Sequence, residues 1–134
     1  MVPRQAFWWA TVGVLLGCGT RDRLTFPSES PGDSAGPVTR ITSPAQPDTA
    51  VVGGDLLIVQ GRVVDVDGVD AVYFEVQGSN QGFAPLRGEG ADTVYFALQL
   101  STQNASGATV LFRAYGVDRL GDQGDPDSRQ IHIE

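Results

Sequence analysis

The chain has no lysine: its nine basic residues are all arginine, set against sixteen Asp and Glu, for a formal net charge of −7. Nothing gathers those arginines into a basic stripe. Phosphate-backbone binding is therefore excluded as the main task, and no nucleic-acid partner is expected. A polybasic membrane-surface segment is excluded for the same reason. The single histidine, His132, rules out a histidine-rich metal site. The single cysteine, Cys18, rules out a disulfide within the chain, so any core is held by packing alone. Both tryptophans, Trp8 and Trp9, lie near the start and contribute nothing to later segments. Catalytic signatures are missing too. No GxSxG nucleophile elbow occurs, and "GEGAD" at 88–92 lacks the lysine and following helix of a phosphate loop.

What is present begins with a leader. In "MVPRQAFWWATVGVLLG", Arg4 provides a positive start and residues 6–16 form an uncharged, largely apolar stretch. Eleven residues are too few to span a bilayer as a helix, which takes about 20, but they suit the apolar region of a signal peptide. The stretch ends Leu15-Leu16-Gly17-Cys18, which resembles the bacterial lipobox, although Leu16 is bulkier than the usual residue at its position. The resemblance implies that Cys18 receives a diacylglyceryl group on sulfur and becomes the first residue after cleavage. More than one acyl chain makes such an anchor durable. The expectation is a bacterial envelope protein held by lipid, most simply at the outer membrane or cell surface. An ordinary secretory leader is the alternative.

Residues 18–37 then run through Ser, Pro, Gly and charges with no hydrophobic period, as a flexible tether does. About 19 such residues reach roughly 25 Å. From Val38 the pattern becomes short period-two runs divided by turn residues. "DLLIVQGRVVD" places Leu57, Val59, Gly61 and Val63 on one face, and "VDAVYFEVQG" turns Val72, Phe74 and Val76 inward with Tyr73 and Glu75 outward. "DTVYFALQL" and "ATVLFRAYGVD" do likewise through Val94, Phe96, Leu98, Leu100 and through Val110, Phe112, Ala114, Gly116. "VTRITSP" opens the domain as an edge strand, "GFAPLRG" reads as a short irregular one, and "SRQIHIE" closes it with Ile131 and Ile133 inward. The organisation expected is a signal peptide (1–17), a lipidated cysteine with linker (18–37), and one domain (38–134). That domain is all-β, a single antiparallel two-sheet sandwich of about seven strands.

The run "GGDLLIVQGRVVDVDGVDAVYFEVQG" at 53–78 resembles bacterial Ig-like domains, and "FRAYGVDRLGDQG" resembles their penultimate strand and the turn after it. The antibody-type Cys…Trp…Cys is absent. The resemblance implies a disulfide-free Ig-like module of the kind that serves as a binding unit, spacer or accessory subunit, with adhesion or protein interaction as its role.

Two constellations are candidates for function. In such a sandwich alternate turns gather at one end, which would unite Asp65, Asp67 and Asp70, then Glu89 and Asp92, then Asp118, Asp122, Asp125 and Asp127. Crowded carboxylates invite calcium, which takes six to eight oxygens. Asp65, Asp67, Asp118 and Asp122 are the candidate ligands, and calcium is the sole cofactor suggested. "DVDG" at 65–68 resembles the start of an EF-hand loop, but the rest of that motif is missing. Turn chemistry is the competing explanation, because Asp and Gly favour tight turns for backbone reasons. The second constellation is a face. If the strands carrying Tyr73, Leu111 and His132 share a sheet, its outer surface shows Tyr73, Glu75, Leu111, Arg113 and Tyr115. Tyrosine and arginine are common interface anchors, so Tyr73, Leu111, Arg113 and Tyr115 form the candidate interaction face for an envelope protein partner. Cross-strand stabilisation is the alternative there. The alternative function is a carbohydrate- or calcium-binding accessory module of a secreted enzyme or polysaccharide system. No general acid–base pair can be assembled, so an enzyme is not expected.

Overall fold

The computed structural model describes residues 35–134; the leader, Cys18 and most of the linker lie outside the described residues. Six strands follow in order: β1 (Val38–Ser43), β2 (Asp48–Val51), β3 (Leu56–Gln77), β4 (Leu86–Ser101), β5 (Thr109–Asp118) and β6 (Asp127–Ile133).

The architecture turns on the 22-residue β3. Its first half, residues 56–64, pairs antiparallel with β1 on one side and with residues 93–101 of β4 on the other. Its second half pairs antiparallel with β5 and touches the start of β4. Between the halves the register breaks from Val64 to Val69. Gly68 sits in that break at φ 92°, a left-handed conformation that side chains resist. Through this bend one strand contributes to both layers of an all-β sandwich. Two segments read from the sequence as separate strands are thus continuous in β3, and "GFAPLRG" and "DTVYFALQL" partly merge in β4.

Period-two alternation places the core. Val59 and Val63 of β3 with Phe96 and Leu100 of β4 face Val72, Phe112, Ala114, Ile131 and Ile133 across one buried cluster. Each fully buried Val, Leu, Ile or Phe contributes roughly 1.5–3 kcal/mol relative to exposure. Phe74 sits at the aromatic centre, edge-on to Phe96 at 5.1 Å and to Phe83 at 6.4 Å. Every inward residue expected from alternation in the main strands is buried or half-buried.

Two features were not expected. The four-residue β2 pairs parallel with β6, from Asp48 opposite Gln130 to Val51 opposite Ile133. Arg129 of β6 is buried at 8% exposure, on the same inward face as Ile131 and Ile133.

Candidate functional site

The bend of β3 and the end of β5 meet at one pole. Asp65 and Asp67 flank the bend, and Asp118 closes β5. Each places a carboxylate oxygen within 4.8 Å of the other two. Asp65 is 6% exposed and Asp118 is 1% exposed, while Asp67 is half-buried. Local hydrogen bonds fix the carboxylates. Asp67 donates its main-chain N–H to Asp65 Oδ1 at 2.7 Å. Asp118 Oδ1 accepts the N–H groups of Leu120 and Asp122, both at 2.8 Å. The loop after β5 is tied back by the N–H of Arg119 donating to Gly68 O at 3.3 Å, which joins the two halves of the pole.

Asp122 plays a different part from the one its spacing suggested. Its main chain brackets Asp118, donating to Oδ1 and accepting the Asp118 N–H at 3.0 Å, and its carboxylate lies outside the three-residue group. The wider acidic set also separates. Asp70 and Glu89 line a groove with Tyr73 and Arg87. Asp127 pairs with Arg129 at 3.0 Å. Asp125 borders a different groove, formed with residues 35–39. Of the four proposed ligands, the fold unites Asp65, Asp67 and Asp118.

The face on β3, β5 and β6 has the expected sidedness. Tyr73 pairs with Tyr115 across the strands, and their rings stack at 5.4 Å with planes 18° apart. One step along, Glu75 opposes Arg113 in an ion pair of 3.7 Å, and Gln77 opposes Leu111. His132 is exposed and meets Thr109 Oγ1 through Nδ1 at 3.0 Å. Tyr73 also forms one wall of the groove of about 380 Å³ that includes Asp70, Pro85, Arg87 and Glu89. Sequence reasoning missed Arg87 at this face. Its position depends on the pairing of Ala71 with Arg87, and Pro85 disguised the segment as irregular.

No family model and no curated protein sequence matches the chain. Among solved structures, the fibronectin(III)-like modules of Clostridium thermocellum CbhA match with a TM-score of 0.50 at 19% identity, over 72% of this chain and 97% of theirs. An engineered protein matches with a TM-score of 0.49 at 22% identity, over 73% of this chain and 20% of its own. At such identities the likeness bears on architecture. The described part of the chain is an all-β, Ig-like sandwich with the fibronectin(III)-like fold.

Proposed function

We propose that the chain is a non-catalytic, lipid-anchored bacterial envelope protein that presents one Ig-like module for protein interaction. The observation that carries the interaction role is the outward face of β3 and β5, where stacked Tyr73 and Tyr115 stand beside Arg113 and Leu111. An aromatic pair already held rigid by its neighbour loses little entropy on docking, which suits an interface anchor. The lipobox-like Leu15-Leu16-Gly17-Cys18 supports the anchor, and the spacing to Val38 supports a tethered presentation. The fibronectin(III)-like modules of CbhA share the fold, which agrees with an accessory or structural module here.

The test has two arms. Growth with an alkyne-bearing fatty acid should label the parent protein and leave a Cys18→Ser form unlabelled and released from membranes. Equal labelling of both forms removes the anchor. Affinity capture from solubilised membranes should recover a partner with the parent and lose it with Tyr73→Ser and Tyr115→Ser combined. Undiminished capture removes the face.

A second reading, a carbohydrate-binding accessory module, is favoured by the groove beside Tyr73, where an aromatic edge meets Asp70, Arg87 and Glu89. Polar groups around an aromatic wall can orient a sugar. Retention on polysaccharide columns that is lost with Arg87→Ala supports it, and elution with the void volume excludes it.

A further inference from the structure

We propose that Asp65, Asp67 and Asp118 bind a divalent cation, assigned as calcium for its tolerance of irregular oxygen sets, which ties the bend of β3 to the end of β5. The inference is independent of how the chain is anchored or what its tyrosine face meets. Three points pairwise within 4.8 Å share a centre no farther than about 2.8 Å from each. Calcium–oxygen distances run from about 2.3 to 2.6 Å, so a small inward adjustment completes the fit. Magnesium demands about 2.0–2.1 Å and near-ideal octahedral geometry, whereas calcium accepts irregular oxygen sets such as these turn carboxylates and water would form. Each of the three carboxylates offers one oxygen, and water completes the coordination.

Clustered acids alone would be explained by turn chemistry, but Asp118 goes further. Its Oδ1 satisfies the loop by accepting from Leu120 and Asp122. The carboxylate that joins the cluster also holds Oδ2, which is buried with no hydrogen-bond partner among the described residues, in a residue only 1% exposed. A buried, unpartnered carboxylate oxygen is costly unless a cation or donor meets it. The turn does not require that second oxygen, since asparagine would supply Oδ1 equally well without the charge. The same holds at Asp65, whose Oδ1 alone caps Asp67. Among the described residues the ion pairs are Arg113–Glu75 and Arg129–Asp127, and neither reaches Asp65 or Asp118. The one arginine of the loop, Arg119, turns its Nη2 to Glu89 O at 3.3 Å instead.

The experiment uses the full chain in detergent, stripped with chelator, then titrated with calcium chloride while its melting temperature is followed. A rise of about 4–8 °C is expected once calcium exceeds its dissociation constant about fivefold, growing with the logarithm of concentration beyond that. Magnesium at equal concentration should give less than half that rise. Asp118→Asn keeps the loop acceptor and removes the charge. In chelator it should melt no lower than the parent, and it should show no calcium response. Asp67→Asn, at the more exposed corner, should weaken the apparent calcium affinity at least tenfold, and it serves if Asp118→Asn does not fold. Asp122→Ala should retain the parent's calcium response, because Asp122 acts through its main chain. A flat calcium titration, or an undiminished response in both Asp118→Asn and Asp67→Asn, overturns the site. An equal response to magnesium overturns its assignment to calcium.

Discussion

Arg129 Nη1 lies 3.0 Å from Asp127 Oδ1, two residues back along β6, and together the pair grips the main chain of β1. Asp127 Oδ2 accepts the Ile41 N–H at 2.7 Å, while Arg129 Nη2 donates to Ile41 O at 2.6 Å. Nε donates to Pro44 O at 2.8 Å, so the guanidinium also holds the chain where β1 ends. This buried fork replaces the ladder bonds that β1 loses at the register break between Ile41 and Ser43. Arg129→Met keeps the apolar stem and removes every donor. It leaves the Asp127 charge without its counter-ion and the Ile41 and Pro44 carbonyl oxygens without these donors, and should cost about 2–4 kcal/mol. Urea unfolding, followed by far-ultraviolet circular dichroism, measures the loss.

Stacking of Tyr73 on Tyr115 makes a separate prediction, about stability rather than binding. Aromatic cross-strand pairs contribute about 0.5–1.5 kcal/mol beyond burial, and the partial exposure of this one places it near the lower end. A double-mutant cycle with Tyr73→Ala and Tyr115→Ala should return a coupling of about 0.5–1 kcal/mol. A parallel cycle on Glu75 and Arg113 should return less, about 0.2–0.5 kcal/mol, because both side chains are substantially solvated. Raising the salt concentration should diminish the second coupling and leave the first intact.

Gly61 lies opposite Phe96 in the β3–β4 ladder, with the ring lying over it. A glycine inside a strand ordinarily gains about 0.5–1 kcal/mol on replacement by alanine. Here a Cβ would stand 2.3 Å from Phe96 Cζ and 2.7 Å from Arg40 O. Phe96 is buried at 4% exposure and cannot swing aside. Gly61→Ala should therefore reverse the usual sign and destabilise by about 1–3 kcal/mol, measured by the same urea unfolding.

Much of this sandwich is legible in the sequence because period-two alternation is a local signal. Val59, Val63, Phe96, Phe112 and Ile131 declare their faces without knowledge of their partners. The same alternation marks Arg129 as inward, in register with Ile131 and Ile133, but of the groups that make its burial tolerable only Asp127 and Ser128 are local, and the Ile41 and Pro44 oxygens lie 85 to 88 residues earlier. β2 was hidden for another reason. Four residues between Pro47 and Val52 carry too little pattern, and its partner is a parallel strand about 80 residues later. At the acidic pole, the turn topology of an Ig-like sandwich grouped Asp65, Asp67, Asp118 and Asp122. It could not separate Asp122, which contributes main-chain groups, from residues that contribute carboxylates.

The bend that unites those carboxylates depends on Gly68. At φ 92° an L side chain is strained by about 1–2 kcal/mol, and a Cβ would also stand 2.5 Å from Gly90 O, a main-chain atom with no freedom to rotate away. Gly68→Ala should cost about 2–4 kcal/mol in urea unfolding, combining strain with the clash. Its consequences extend beyond stability, because Gly68 O accepts from Arg119 N and so sets the distance between the bend and the loop after β5. A shift of the bend at Gly68 moves Asp67, one residue away, relative to Asp118. The variant should therefore lose calcium-dependent stabilisation more completely than Gly61→Ala, which strains the same strand remote from the pole. Equal calcium responses in the two variants would mean that the bend is not what positions the carboxylates.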